Sequence, residues 1–404
     1  MAELKGIEYL RRKLNTKKNR VALRYKYYDM KKLVPDMGIS TPPKLRGWIS
    51  ILGWCGKAVD SLADRLVFSG FADDNFDIGG IYDQNNPDII TGGAILSALI
   101  GSCSFIYIYA DDDGFPRMEA IDGGNATGEI DTVTELLTEG YAVLERDSYG
   151  NPLQEAYFTA EQTVYYEKGE ISRVYTHEAG YPLLVPVINR PDSVRPFGHS
   201  QISRACMSIM ESAVRTAKRS EIAAEFYSFP QKWVTGLAED AKQFDKWQAT
   251  MSSLLAFTKD DMGDSPTLGQ FSQQSMGPHL EQLRMFASLF AGETGLTLDD
   301  LGFPSDNPSS ADAIRSQHES LRLAARKAQR NFGTGFLNAG FVAACLRDEY
   351  KYQRRILYLT KPQWEPIFEP DASQLSGIGD AIIKIQQAFP DYFTAEKLQQ
   401  LTGI

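Results

Sequence analysis

Residues 308–340 of this 404-residue chain read PSSADAIRSQHESLRLAARKAQRNFGTGFLNAG and open a proline-free stretch that ends at Pro362. Ser309 or Ser310 can cap the N-terminus of a helix, and Asp312 falls in the first turn, where the helix dipole favours a carboxylate. Four arginines follow at helical spacing and share one face: Arg315, Arg322, Arg326 and Arg330. Three glycines then interrupt the apolar side and predict a bend: Gly333, Gly335 and Gly340.

A long, bent, alanine-rich helix with one basic edge has two interpretations. It suits an element that packs against copies of itself around something anionic. It equally suits a core helix whose charged side is simply solvated. The segment alone leaves both open.

The bulk composition indicates an ordinary folded protein of two or three domains, with 43% hydrophobic residues. No window approaches the roughly 18 continuous apolar residues of a membrane span. The N-terminus is charged, so we expect no secretory signal and no membrane partner. Four widely separated cysteines predict buried free thiols in a reducing compartment: Cys55, Cys103, Cys206 and Cys345.

The net charge of −10 argues against a conventional DNA-binding protein, whose affinity comes from Lys and Arg on phosphates. It does not exclude a protein that must let DNA pass without holding it. Basic residues cluster between Met1 and Lys32, and the cluster could contact nucleic acid or an acidic partner. The alternative is an exposed amphipathic helical arm. The basic residues of this cluster are Lys5, Arg11, Arg12, Lys13, Lys17, Lys18, Arg20, Arg24, Lys26, Lys31 and Lys32.

Periodicity predicts an α+β protein in which an antiparallel meander lies inside a domain of about two hundred residues. Helices are predicted at 44–66, 88–100, 199–227, 239–251, 277–293, 374–389 and 394–401. Strands or extended pieces are predicted at 67–71, 102–109, 141–146, 154–159, 163–167, 171–177, 231–234, 254–258 and 357–368. The helix at 199–227 is small-faced, rich in Ser and Ala. Gly79-Gly80 and Gly123-Gly124 are expected in turns.

Motifs of catalysis are missing from the sequence. The four histidines do not form a metal-ligand pattern such as HExxH, and there is no GxSxG, P-loop or GxGxxG. The acidic loops 111–113 and 260–264 could hold a divalent cation, although hairpin turns explain them better. We therefore expect no cofactor, no metal and no enzymatic activity. The alternative is an intracellular metal-dependent hydrolase that uses these carboxylates.

Several phrases, in their order along the chain, resemble the Gp6-like portal family of tailed bacteriophages. The resemblance covers about Tyr25 to Phe389, and order and spacing carry most of it. The phrases are 25–29 YKYYD, 59–66 VDSLADRL, 70–71 GF, 189–191 NRP, 197–200 FGHS, 230–236 PQKWVTG, 271–291, 295–296 GL and 309–314 SSADAI.

The resemblance implies a portal fold with an α+β wing, a two-helix stem, a small α/β clip, a long kinked helix and a short helical crown. The implied bounds are wing 1–198, first stem helix 199–228, clip 229–275, second stem helix 276–295, tunnel loop 296–308, kinked helix 309–350, wing return strand 351–373 and crown 374–404. The crown is shorter than in longer relatives.

The resemblance also implies a function. Such a chain would form a twelve-subunit ring at one capsid vertex of the virion, assembled in the host cytoplasm, through which double-stranded DNA is packaged and ejected. Implied partners are the large terminase, a head–tail adaptor, and the major capsid and scaffold proteins. The implied tunnel-loop residues are Leu298, Asp299, Asp300, Phe303, Pro304, Ser305, Asp306 and Asn307. The implied clip docking residues are Lys259, Asp260, Asp261 and Asp264.

Basic residues near the channel would offset the negative charge of such a ring locally. Weak, non-specific phosphate contacts would let DNA slide, whereas base readout would stall it. The same residues could instead form salt bridges between subunits. The candidates are Arg204, Arg215, Lys218 and Arg219 on the first stem helix, together with Arg315, Arg322, Arg326 and Arg330.

Overall fold

The computed structural model describes residues 4–35, 47–74, 76–228, 232–235, 267–270, 275–304, 316–368, 372–389 and 392. Its helices are α1 (Ile7–Tyr28), α2 (Trp54–Ala63), α3 (Ile78–Asp83), α4 (Pro87–Gly101), α5 (Arg204–Ser228), α6 (Gly277–Thr294), α7 (Glu319–Arg347) and α8 (Ala372–Ala388). Its strands are β1 (Phe68–Ala72), β2 (Cys103–Ala110), β3 (Pro116–Asp122), β4 (Ala126–Ile130), β5 (Leu137–Arg146), β6 (Pro152–Phe158), β7 (Gln162–Glu167), β8 (Glu170–Thr176), β9 (Leu184–Ile188), β10 (Lys232–Thr235), β11 (Thr267–Gln270) and β12 (Lys361–Trp364).

A three-stranded antiparallel sheet, ordered β3-β2-β9, lies at the centre of the core. Residues 103–108 of β2 are all buried, so both faces of this strand are covered. Helix α4 packs on β2 and β3, and α7 packs mainly on β9. An uninterrupted apolar run of β-branched and aromatic residues is what a strand buried on both faces requires.

The predicted meander is present as a five-stranded antiparallel sheet ordered β4-β5-β6-β7-β8. The mixed helix-and-sheet class is therefore confirmed. Strands β3, β4, β9 and β11 were not predicted. Strand β9 is short and contains Pro186, which is tolerated because β9 is an edge strand, hydrogen-bonded to β2 alone among the described strands.

The helix predicted at 44–66 is much shorter in the structure, where α2 begins only at Trp54. Residues 48–53 are not helical, and the Trp48 side chain is 56% exposed. Gly47, Gly53 and the β-branched Ile49 and Ile51 weaken helix formation there. The prediction of a turn at Gly79-Gly80 was also wrong, because both residues lie inside α3.

Helix α7 is the strongest sequence prediction, but its glycines act differently from expectation. One helix runs through Gly333, Gly335 and Gly340 without ending, and the chain turns earlier, at His318. A Cβ on Gly340 would overlap Ile78, and one on Gly333 would approach Pro362 Cγ to 2.8 Å. The glycines are therefore points of close packing rather than a hinge.

The N-terminal helix α1 is not an exposed arm. Leu10, Leu14, Val21 and Tyr27 are buried, and the helix packs on α4, β4 and β5. Helix α1 is amphipathic, and its apolar side packs against other elements of the same chain.

The C-terminal part of the chain returns to the N-terminal body. Strand β12 pairs antiparallel with β1, with Phe68 opposite Trp364. The segment predicted as extended, 357–368, begins in a 3-10 turn (Arg354–Tyr358) and becomes a strand only at Lys361. All four cysteines are buried and free, as predicted. The helices predicted at 239–251 and 394–401 and the extended piece at 254–258 lie outside the described residues.

Candidate functional site

The helix pair α5 and α6 organises the candidate site. Ser203, just before α5, donates from Oγ to Glu293 Oε1 at 2.7 Å, and Thr216 Oγ1 donates to Gln282 Oε1 at 3.2 Å. Since the contact partners run in opposite directions along the chain, the two helices are antiparallel. Fully buried alanines such as Ala287 allow the helix axes to approach closely.

Helix α6 turns one face towards α5 and the core and leaves the other uncovered. Phe290 and Ala291 are buried on the inner side. The outer face of α6, which we define as Met285, Ser288, Leu289 and Gly292, is exposed, and the exposed charged residues Glu281 and Arg284 border it one turn earlier. Met285 is 49% and Leu289 53% exposed. A helix face with exposed large apolar side chains is typical of a protein-contact surface.

The four basic candidates on α5 have different environments. Arg204 is exposed at the start of the helix. Arg215 contacts Glu211 at 3.6 Å within its own helix. Lys218 is buried, and both Lys218 and Arg219 have interaction partners. Burial leaves the Lys218 ammonium little surface for a phosphate, so it is the weakest member of the predicted DNA-contact set.

The basic edge of α7 is exposed along the described part of the helix. Arg322 makes a bidentate contact with Glu319, both bonds at 2.6 Å, and Arg326 and Arg330 are exposed. On the opposite side, Leu321 and Phe332 are buried. Arg315 lies outside the described residues. The separation into a basic and an apolar side follows the predicted helical spacing.

The predicted tunnel loop begins as a compact turn. Asp299–Leu301 form a 3-10 helix, and the Asp300 carboxylate accepts hydrogen bonds from the backbone and the hydroxyl of Thr297, both at 2.9 Å. Phe303 packs against the core. A cleft of about 510 Å³ separates this turn from α6. Its lining includes Leu298, Asp299, Phe303, Arg284, Ser288 and Gln317. Pro304 ends the described segment, and Ser305, Asp306 and Asn307 lie beyond it.

Of the predicted clip, the structure describes only residues 232–235, 267–270 and 275. Strands β10 and β11 form an antiparallel pair in which Lys232 lies opposite Gln270 and Thr235 opposite Thr267. The pairing therefore brings residue 270 back beside residue 232. The proposed docking residues Lys259, Asp260, Asp261 and Asp264 lie outside the described residues.

Hydrogen bonds within a turn account for the acidic residues at 111–113. The Asp111 carboxylate accepts hydrogen bonds from the Phe115 backbone and from Arg117 Nε, both at 2.8 Å. Across the described ranges, no cluster of three or more His, Cys, Asp or Glu side chains is arranged to hold a metal. None of the helices in those ranges combines the length and apolarity needed to cross a bilayer.

The N-terminal basic cluster divides into two groups that the sequence did not distinguish. Lys5 and Lys13 contact Glu129 at 2.9 and 2.5 Å, and Arg11 contacts Glu155 at 2.8 Å. These acidic partners lie more than a hundred residues away, so no local pattern could reveal them. Further along the same helix, Lys17, Arg20 and Arg24 have no ion pair within the described part of the chain.

Comparison with known proteins finds two relatives by sequence. No protein-family model matches the chain. The portal protein of Mycobacterium phage L5 is 25% identical over 341 residues, which cover 78% of this chain and 69% of the phage protein. The portal protein of Mycobacterium phage D29 is 25% identical over 331 residues, covering 76% and 67%.

Similar solved structures come from gene transfer agent particles. A chain in the neck of the empty particle, computed with C6 symmetry, matches 87% of this chain and 90% of its own length at 12% identity and a TM-score of 0.48. A chain in the neck of the native particle, computed with C12 symmetry, matches 87% and 91% at 13% identity and a TM-score of 0.42. The two phage relatives confirm the resemblance to bacteriophage portal proteins that the sequence phrases predicted.

Proposed function

We propose that this chain is a portal, the head–tail connector of a tailed phage, and that it forms a ring at one capsid vertex. The observation that carries the proposal is the similarity to two phage portal proteins over three quarters of the chain. The finer assignments are ours. They comprise a twelve-subunit ring, passage of double-stranded DNA without enzymatic activity, and docking of terminase and a head–tail adaptor on the clip.

The geometry of α5 and α6 supports a ring. The helix pair packs one face on its own body, and the exposed apolar side chains on the outer face of α6 leave a surface for a neighbouring subunit. Contact between two different surfaces of identical chains closes into a ring when the rotation between them is a whole fraction of a turn. Cations such as Arg204, Arg326 and Arg330 would make weak contacts with passing phosphates.

Negative-stain images of the purified chain, with mass measured in solution, test the proposal. We expect rings with a central hole, alone or after addition of scaffold protein. A chain that stays a monomer or dimer at physiological salt, and that does not assemble with scaffold, would contradict the proposal. It would favour the hydrolase alternative, for which phosphatase and nuclease assays with Mg²⁺ or Mn²⁺ provide a direct readout.

A further inference from the structure

A short segment before α2 lies against helix α5. Trp48 Nε1 and Ser50 Oγ both donate hydrogen bonds to Glu221 Oε2, the second at 2.9 Å. Leu52 follows and packs against the core. We call residues 48–51 the strap. Because α5 holds one end of the strap and the core holds the residue after the other end, the strap has a fixed place on the surface.

The strap exposes large apolar side chains at that place. Trp48, Ile49 and Ile51 are 56%, 58% and 60% exposed. Ile49 and Ile51 alternate along the chain with the two residues that reach Glu221, and alternating side chains point to opposite sides of an extended segment. The strap is therefore fixed to α5 on one side and presents two isoleucines on the other. Neighbouring exposed apolar side chains of this size are typical of a protein-contact surface.

The strap lies on a side of α5 that faces away from α6. Thr216 contacts Gln282 of α6, and Glu221 follows Thr216 by five residues. At about 100° per residue the two α5 positions are about 140° apart round the helix. The strap therefore does not cover α6 of its own chain.

Helix α6 has an exposed stripe on the side opposite α5. We call it the α6 flank and define it as Leu280, Arg284 and Ser288, which lie about 120–160° round the helix from Gln282. All three are exposed, Leu280 by 62%. Arg284 and Ser288 also line the cleft of about 510 Å³ beside the predicted tunnel loop. The helix pair thus carries the strap at one edge and the α6 flank at the other.

The two surfaces are complementary in charge. The strap is tied to a carboxylate, that of Glu221, which is exposed and forms no ion pair with a described side chain. The α6 flank carries the guanidinium of Arg284, which is also exposed and has no acidic partner among the described residues. Opposite charges beside an apolar contact favour one pairing of surfaces over others.

The two surfaces also match in height along the helix pair. Thr216 lies beside Gln282, and the two helices are antiparallel. Glu221 is therefore level with Gly277, five residues the other way along α6. Leu280 is three residues from that level, or about 5 Å at about 1.5 Å per residue. A second copy placed alongside, with its helix pair roughly parallel to the first, brings its strap to Leu280.

We propose that the strap of one subunit packs on the α6 flank of the next, with Glu221 facing Arg284 across the contact. The inference rests on the proposed function, because it names the two surfaces through which neighbouring subunits of the ring meet. The occupant is a second copy of this chain, since both halves of the contact lie on it and neither reaches the other within one chain. Joining two different surfaces leaves one of each free at the ends of a row of subunits, and closure into a ring uses them all.

Cross-linking between introduced cysteines tests the contact in the full chain. The double variant Ile51→Cys and Leu280→Cys places one thiol on each surface, while the four native thiols are buried. A short bismaleimide should convert its rings into a ladder of covalent oligomers on a denaturing gel, because each subunit is linked on both sides. A contact between different surfaces does not bring like positions together, so each single variant should give at most about one tenth of this product.

The matched control is the double variant Ile171→Cys and Leu280→Cys. It moves the first thiol to an apolar side chain on β8 that is 63% exposed, and it should give no ladder. Rings of the Ile51 and Leu280 double variant that show no ladder would exclude the strap contact and leave the proposed function standing. A single variant that cross-links to itself as strongly as the double variant would show a two-fold contact between like surfaces and overturn the inference. Ladders from open filaments without a central hole in negative stain would support the strap contact and contradict the ring instead.

A second pair of variants tests the same contact without cross-linking. Ile51→Glu and Leu280→Glu each place a carboxylate on one surface and leave the other intact, and both side chains are exposed, so the monomers should fold. Each variant alone should lose its rings. An equimolar mixture should form mixed dimers and stop there, as measured by mass in solution, because only one intact strap and one intact flank can meet. Rings of normal size from either variant alone would contradict the inference.

Discussion

At the scale of single residues, two arginines of one helix lie in contrasting environments. Arg11 makes two hydrogen bonds to Glu155, whose carboxylate is nearly buried and also accepts from Tyr141. Arg24 has only the carbonyl of Gly101 and lies among other cations. The sequence shows both as members of one basic cluster. Their difference arises from strands β4 and β6, which bring acids from distant parts of the chain to one end of the helix.

Substituting each arginine with glutamine should therefore give opposite outcomes. Arg11→Gln leaves the Glu155 carboxylate without its charged partner and should lower the free energy of unfolding by about 2 kcal/mol. Arg24→Gln relieves repulsion and should leave stability within about 0.5 kcal/mol of the wild type or raise it. Urea denaturation curves of the two variants measure this difference. Equal destabilisation would mean that Arg24 also has a stabilising partner.

His177 is a buried histidine whose ring nitrogens both lack a hydrogen-bond partner in the structure. Burial lowers its pKa to about 4. The unfolded chain, with a histidine pKa near 6.5, binds this proton more readily, so stability is fully present above about pH 6.5 and falls as the pH drops towards about 4. The loss reaches at most about 3 kcal/mol.

His177→Gln should flatten this part of the stability profile, measured by urea midpoints between pH 4 and pH 7. His199→Gln is the control, because His199 is more exposed and lies next to Asp192. If the His177 variant keeps the full slope, some other group controls acid sensitivity in this range.

At the scale of elements, periodicity found most helices and the meander but not their ends or the role of the glycines. The α5, α6 and α8 predictions hold because long runs with a 3.6-residue period leave little choice of structure. Helix α2 was overextended since apolar residues before Gly53 happened to continue the period. The three glycines of α7 carry no local sign of what they contact. Ile78 and Pro362, which they approach, lie hundreds of residues before and tens of residues after them.

Gly340→Ala tests whether the glycines serve packing. The added methyl would overlap Ile78, and we expect a loss of about 2 kcal/mol in the free energy of unfolding. Gly92→Ala, in α4, is the matched control, because nothing lies within 4 Å of its Cβ position. That change should stabilise the chain by about 0.5–1 kcal/mol through helix propensity. Thermal unfolding of the two variants measures this difference. If Gly340→Ala leaves stability unchanged, a role of the glycine in bending the helix would explain it better than close packing.

The tunnel segment gives a prediction for DNA packaging. Asp299 is exposed and lines the cleft beside α6, while Asp306 lies in the proposed loop beyond the described segment. Asp299→Ala and Asp306→Ala should impair packaging in a terminase-driven assay and leave ring assembly unchanged. Phe303→Ala is a less selective test of the loop, because Phe303 also packs against the core and its loss would affect folding. Parallel loss of rings and packaging in the aspartate variants would refute the loop assignment.

At the scale of the whole molecule, the antiparallel helices α5 and α6 lie between two parts of one body along the chain. The chain leaves that body after β9, runs out along α5, returns along α6, and rejoins it through α7 and β12. The α+β class could be predicted from the sequence. The sequence predicted an extended segment at 357–368, and the resemblance to portal proteins implied a return strand within 351–373, but neither identified β1 as the partner of β12.

If the outer face of α6 contacts a neighbouring subunit, one charge placed there should prevent the ring. Leu289→Glu should leave the monomer folded, because the side chain is 53% exposed, and should abolish rings in negative stain. Ile171→Glu, on the edge strand β8, replaces an apolar side chain that is 63% exposed and should leave ring formation intact. Rings of normal size from the Leu289 variant would exclude this face from the subunit contact.

The closing pair of strands has a consequence for the order of events during translation. Strand β1 leaves the ribosome about 300 residues before its partner β12, which at about 5–20 residues per second is a delay of roughly 15–60 s. During that time Phe68 and the β1 edge lack the strand that pairs with them. Nascent chains arrested before residue 361 would expose this edge to chaperones, and a protomer would be available for assembly only after strand β12 had been made.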